Sequence, residues 1–289
     1  MNFQELNKKG MGMYIDLDKY GLSSFALKII AVVTMLIDHI AMAFLAQGSS
    51  LYMVMRSIGR LSFPIYCFLL VEGFYHTRDK KKHLYRLLLF AVVSEVPYDM
   101  IHGHFINLLG QSVMVGLLIG YIMIWILYNI SMFRIRYPKI LLKVFSFGTL
   151  NWITQLIAVF GAMGLAYMLK VTYSYTGILL IFFFYTFREY HIGKAIGNMV
   201  FNMGFYSLGI QWLGSLSVIP IAFYNGKRGK YKWKWFFYLF YPVHLFVLAV
   251  IKIVVCQSDR KVTTFSPDKE KVRRNLSFQR TFVGCGDRT

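Results

Sequence analysis

Apolar residues gather in long runs near 25–46, 55–75, 85–102, 106–128, 146–169, 174–187, 195–206, 208–224 and 235–255, separated by short polar connectors. A bilayer core about 30 Å thick takes ~20 residues at a rise of about 1.5 Å each, and it forces every backbone amide to bond within its own segment. The pattern therefore predicts an all-α fold, a polytopic bundle of about nine transmembrane helices. The stretch 195–224 is short for two spans, and one span plus a re-entrant piece is its other reading. Residues 1–24 read as a polar N-terminal segment, 25–255 as the membrane domain, and 256–289 as a polar tail without a core-forming pattern, expected to be disordered.

Composition turns this pattern into a class. Hydrophobic residues make up 57% of the 289 and aromatics 18%, and the mean hydropathy is +0.51, a balance that ordinary soluble domains do not have. The formal charge of +19 would suit nucleic acid if it formed one stripe. Instead the basic residues sit in the connectors 77–82, 134–139, 188–194 and 227–232. Positive-inside bias explains such a distribution, placing these loops and the N-terminus in the cytoplasm of a plasma-membrane protein, with lipid and not nucleic acid as its surroundings. The first twenty residues are polar and the first apolar run is too long for a signal core, so no cleavable signal peptide is expected. Cys67, Cys256 and Cys285 have neither metal-ligand nor disulfide spacing.

Against this apolar background the ionisable residues stand out, because each costs at least ~2.5 kcal/mol at the centre of a span. Asp38 and His39 lie deep in the first run, and His244 lies about ten residues into the last. At about 1.5 Å per residue the two histidines reach similar depths. Imidazole takes and returns a proton near neutrality, which suits acid-base or acyl-transfer work. Asp38 cannot orient its neighbour, since adjacent helical side chains point about 100° apart; it is expected to meet an arginine or a substrate. Arg56 and Arg60 share one face of the second run, Glu72 closes that run, and Glu95 and Asp99 flank Pro97 in the third. Arg60 is the expected partner of those two carboxylates, an ion pair that would lock two helices together. Asn107, Gln111, Asn151, Gln155, Asn198, Asn202 and Gln211 read as interhelical hydrogen-bond glue. No HExxH or comparable ligand spacing is present, so no metal is expected.

Several motifs occur in an order that resembles the TraX family of multi-pass membrane proteins. They are Asp38-His39-Ile40, Ile58-Gly59-Arg60-Leu61-Ser62-Phe63-Pro64, Leu70-Val71-Glu72-Gly73-Phe74, Ser94-Glu95-Val96-Pro97-Tyr98-Asp99, Tyr224-Asn225-Gly226-Lys227-Arg228-Gly229 and Tyr241-Pro242-Val243-His244-Leu245. The resemblance runs from Ser24 to about Ile251. It departs at Thr172-Tyr173-Ser174-Tyr175-Thr176-Gly177, where a carboxylate is missing, and is loose after Asn107. The resemblance implies a fold like that of multi-span acyltransferases such as heparan-alpha-glucosaminide N-acetyltransferase. It also implies a link to N-terminal acetylation of conjugative pilin, with acetyl-CoA as co-substrate and His39 handling the acetyl group.

The function expected on these grounds is a membrane acyltransferase that moves an acetyl group from cytoplasmic acetyl-CoA to an amine or hydroxyl at the outer side. His39, with Asp38, His244 and Arg60, would form the catalytic set, Arg60 or an Asn steadying the oxyanion. Glu72, Glu95, Asp99 and Asn107 would make a supporting polar network, and Lys227 and Arg228 would hold the CoA phosphates. A pilin amine, an envelope glycan and a lipid headgroup all fit as acceptor, and the oligomeric state is open. The rival reading is a proton-coupled transporter using Asp38, His39, Glu95, Asp99 and His244. A third is an inactive structural partner in a secretion or conjugation complex.

Overall fold

A computed structural model describes residues 21–103, 110–132, 146–204, 209–231 and 233–265. The described residues are helical apart from turns and two isolated bridges, Leu22 with Tyr224 and Gln111 with Val171. Within the described residues, each apolar run of the sequence overlaps helical structure. The elements are α1 (Ser24–Phe44), α2 (Ser50–Gly59), α3 (Ser62–His76), α4 (Lys80–His102), α5 (Val113–Ser131), α6 (Phe147–Met168), α7 (Ser174–Thr186) and α8 (His191–Met199). A π-helical turn Val200–Gly204, a 3₁₀ segment Ile210–Ser217, α9 (Val218–Ala222) and α10 (Lys234–Phe265) follow.

Among the described residues, five stretches are long and apolar enough to cross a membrane: Ser24–Phe44, Ser50–His76, Val113–Ser131, Phe147–Met168 and Lys234–Val255. The protein is a multi-pass membrane protein. Helix α4 is as long, at 23 residues, but it carries Arg86, Glu95 and Asp99 among its apolar positions.

The helices begin where their sequences offer caps. Ser23 accepts from Ala26 N at 3.3 Å at the start of α1, and Asp79 accepts from Lys82 N at 2.9 Å at the start of α4. The Lys82 amide holds the Asp79 carboxyl below its ordinary range. The run 55–75, predicted as one span, divides into two helices at Arg60-Leu61. Pro64 falls in the first turn of α3, where a missing N–H removes no helical bond. At the far end, α10 continues to Phe265, so the boundary set at residue 256 falls within a helix. Residues 266–289 lie outside the described residues.

Helix α1 packs on α2, α3 and α10, α10 packs on α4, and α7 sits among α3, α5 and α6. Leu27, Phe68, Tyr121, Ile124, Ile178 and Phe184 are fully buried there. Helix α6 borders α5 and α7 and leaves Trp152, Ile157, Phe160 and Met168 exposed, the face expected to meet lipid tails. At one end of the bundle the connectors converge. Leu22 N donates to Phe223 O at 2.7 Å and Asn225 N to Leu22 O at 3.0 Å, while Arg188 Nε donates to Glu72 Oε1 at 3.0 Å. This basic end holds the start of α1, the end of α3 and the loop before α10.

Candidate functional site

The break between α2 and α3 turns Arg60 toward α1, where the Asp38 carboxylate receives two guanidiniums. Arg60 Nη2 donates to Asp38 Oδ1 at 2.8 Å and to Oδ2 at 3.1 Å, and Arg56 Nη1 donates to Oδ2. The partner expected for Asp38 is therefore an arginine, twice over. The partnership expected between Arg60 and the carboxylates of α4 is not formed. Asp38 reaches Arg60 first because Gly59 lets α2 lie directly on it. A Cβ at Gly59 would overlap the Asp38 carboxylate. Gly59→Ala is thus expected to push the carboxylate off both arginines and destabilise the fold by about 1–3 kcal/mol, read as a fall in unfolding midpoint in micelles.

Arg60 continues into a row of buried amides. Its Nη1 donates to Gln211 Oε1 at 3.2 Å, Gln211 Nε2 to Asn202 Oδ1 at 3.0 Å, Asn202 Nδ2 to Asn198 Oδ1 at 3.0 Å, and Asn198 Nδ2 to Ser217 Oγ at 2.9 Å. All four residues beyond Arg60 are buried. Helix α8 supplies Asn198, the π turn Asn202, and the 3₁₀ segment Gln211 and Ser217, and such irregular helices gather where side chains must be aimed. A Cβ on Gly214 would strike Asn202 and stand 3.1 Å from the Arg60 carbonyl, so only glycine lets the 3₁₀ segment close over the cluster. The sequence marked Asn198, Asn202 and Gln211 as polar glue but gave no sign that they end on Arg60.

Beside Asp38, on the adjoining face of α1, His39 meets the last helix. Its Nδ1 lies 2.7 Å from His244 Nε2, and the rings stack with centroids 5.0 Å apart. His244 Nδ1 lies 2.6 Å from the Phe240 carbonyl one turn earlier. A carbonyl only accepts, so His244 Nδ1 donates to it. With both rings neutral, His244 Nε2 then accepts and His39 Nδ1 donates, because a neutral imidazole has one donor and one acceptor. The lone pair of His39 therefore sits on Nε2, the nitrogen turned away from His244. Two histidines matched only in depth by the sequence form one hydrogen-bonded pair. Tyr241 borders both, with ring centroids 6.3 Å from His39 and 5.7 Å from His244.

The remaining residues sit elsewhere. Glu95 accepts from Ser112 N with both oxygens, at 3.1 and 3.3 Å, which caps the start of α5 where the helix dipole favours an anion. Glu95→Ala is expected to cost about 1 kcal/mol of stability, and Glu95→Gln, which keeps an accepting oxygen, measurably less in the same unfolding assay. Asp99 is buried in α4. Glu72 pairs with Arg188 at the basic end, with His76 Nδ1 3.6 Å away. Asn107 lies outside the described residues. Lys227 and Arg228 have exposed side chains, and their carbonyls accept from Ser24 N at 2.8 Å and Phe25 N at 3.2 Å, closing the start of α1. His39 is 15 residues further along that helix, roughly 22 Å away. A cleft of about 550 Å³ lined by Arg78, Lys80, Lys81 and Trp125 also opens at the basic end. Among the described residues no three His, Cys, Asp or Glu side chains converge on a point that could hold a metal ion.

The comparison with known families decides the kinship: the model described as TraX protein matches residues 23–252. The chain belongs to the TraX family. A second TraX-type likeness comes from a curated relative, the probable fimbrial assembly protein FimC, serogroup H1, of Dichelobacter nodosus. It is 30% identical over 250 residues, covering 80% of this chain and 96% of the relative. No solved structure matches. The TraX region includes Asp38, His39, Arg56, Arg60, Gln211 and His244 and ends inside α10, so the ion cluster and the histidine pair both belong to the family domain.

Proposed function

We propose that this TraX-family protein is a membrane acetyltransferase that uses acetyl-CoA to acetylate an amine or hydroxyl presented from the opposite face of the bilayer. The single observation that carries the reading is the histidine pair. His244, fixed by the Phe240 carbonyl, holds the His39 tautomer that leaves Nε2 basic. A nearby hydrogen-bonded group that sets the tautomer of a base is the recurrent arrangement of general-base catalysis.

In this mechanism His39 Nε2 takes the N–H or O–H proton of the acceptor as its lone pair attacks the thioester carbonyl. The new C–N or C–O bond forms, the C–S bond breaks, and His39 returns the proton to the departing CoA sulfur. While His39 is protonated, its Nδ1–H points at His244 Nε2, which spreads the charge over two rings. Asp38 serves the site indirectly, by holding Arg56 and Arg60 beside the base. The relative's name, a fimbrial assembly protein, makes the amine of a pilus subunit the first acceptor to try, with an envelope glycan second.

The same reading counts nine crossings: α1, α2 with α3, α4, α5, α6, α7, α8 with its π turn, the 3₁₀ segment with α9, and α10. It sets the basic end and the N-terminus in the cytoplasm, at the plasma membrane. Exposed Lys227 and Arg228, or the neighbouring basic cleft, would meet the CoA phosphates there.

The test uses full-length protein in nanodiscs with isotope-labelled acetyl-CoA, a pilin N-terminal peptide and an envelope glycan. Labelled acceptor with stoichiometric release of free CoA thiol supports the reading. Neither transfer nor saturable binding of acetyl-CoA overturns it.

A further inference from the structure

Two guanidiniums share one carboxylate in the Asp38 cluster, so its ion pairs leave one positive charge uncancelled within the bilayer region. The hydrogen bonds show where that charge resides. Every nitrogen of Arg60 already has an acceptor: Nε donates to the Arg56 carbonyl at 3.2 Å, Nη1 to Gln211, and Nη2 to Asp38. Its amide row turns carbonyl oxygens toward it, which further stabilises its charge. Arg56 is not saturated. It spends Nη1 on Asp38, and its Nε is buried with no hydrogen-bond partner. Tyr52 lies with its ring 5.8 Å from the Arg56 guanidinium carbon, which offers a π face but no lone pair in the guanidinium plane.

Among the described residues, no acid other than Asp38 forms an ion pair with the cluster. Helix α1 contributes Asp38 and His39, α10 contributes His244, and the 3₁₀ segment contributes the neutral Gln211. Glu95 of α4 is engaged with the start of α5, and no ion pair joins Arg56 to either acid of α4 among the described residues. A guanidinium presents N–H donors in rigid pairs matched to the oxygens of a carboxylate or phosphate. An unmatched buried donor on an uncancelled charge is costly, so the missing partner is an anion.

We propose that Arg56 is the anion-binding point of this site, and that its unpartnered Nε edge takes a carboxylate or phosphate oxygen of the ligand beside the His39–His244 pair. The assignment rests on the cluster being the ligand site and does not require acyl transfer. It also reassigns the group that meets ligand oxygen from Arg60, each of whose nitrogens already donates within the protein, to Arg56.

The experiment follows thermal unfolding of the full chain in maltoside micelles, which carry no phosphate, at constant ionic strength set with chloride. Acetate, inorganic phosphate and micelles doped with phosphatidylglycerol are titrated in separate arms. A saturable rise in Tm of roughly 5 °C at large excess over Kd is expected in at least one arm. A response to acetate or phosphate identifies a soluble oxyanion, and a response to phosphatidylglycerol alone identifies a lipid phosphate. Arg56→Gln should remove the rise while staying folded, because Asp38 and Arg60 then balance one to one. Should Arg56→Gln fail to fold, Arg56→Lys, which keeps the charge but loses the fork, should weaken half-saturation about tenfold. No saturable rise in any arm, or an unchanged rise in Arg56→Gln or Arg56→Lys, overturns the assignment. Acetyl transfer assayed in parallel separates the two readings: an intact anion response without transfer overturns the enzyme alone.

Discussion

Asp38→Asn is expected to destabilise the protein by about 3–5 kcal/mol, the cost of leaving buried charge without its counter-ion. The amide keeps the shape of the side chain and can still accept a hydrogen bond, so the loss measures charge and not packing. Two guanidiniums would then face each other through a neutral group, with Arg60 additionally tied to Gln211 and unable to swing away. Reversible unfolding in mixed micelles reads the effect directly. The decisive control removes all three charges together, Asp38→Asn with Arg56→Gln and Arg60→Met. Because a neutral cluster carries no desolvation debt, the triple variant is expected to recover at least half of the stability lost by Asp38→Asn. If Asp38→Asn is as stable as the wild type, the ion cluster is not what holds α1 against α2.

His39→Ala is expected to lower the rate of acetyl transfer by about 10²–10⁴-fold, the usual contribution of a positioned general base, with little change in acetyl-CoA affinity. His244→Ala should lower it less, by about tenfold to a hundredfold. That variant leaves the base in place and removes only the group that fixes its tautomer and shares its charge. The order of the two losses is the informative quantity. A larger loss for His244 than for His39 would exchange their roles, and full activity of a well-folded His39→Ala variant would end the general-base mechanism. Single-turnover rates in nanodiscs, measured beside unfolding midpoints, separate a chemical loss from a folding one.

What the sequence made legible was whatever the bilayer enforces locally. The apolar runs had to be helices, and Asp38, His39, Arg60 and His244 had to be exceptional, because a low-dielectric surrounding penalises each of them independently of the fold. What it left hidden was pairing across distance. His39 and His244 are 205 residues apart, and only packing of α10 against α1 puts one ring on the other. The choice of Asp38 over Glu95 and Asp99 as partner for Arg60 depends on Gly59 and on the break before Ser62. A spacing of four residues within α2 carries no trace of either. Glu95 looked like half of an ion pair because its span is apolar. Its partner is a backbone amide at the start of α5, a kind of group that no side-chain pattern displays.

The row of amides leading from Arg60 has one further consequence, for proton movement. Every amide in it donates away from the guanidinium and accepts on the side facing it, so the row is a string of dipoles with a single polarity. Reversing one member would set donor against donor unless all turned together. Primary amides do not pass protons on as imidazole or carboxyl groups do. The row therefore works as an insulator that fixes a field at Arg60, and it gives a proton in the cluster no path along itself.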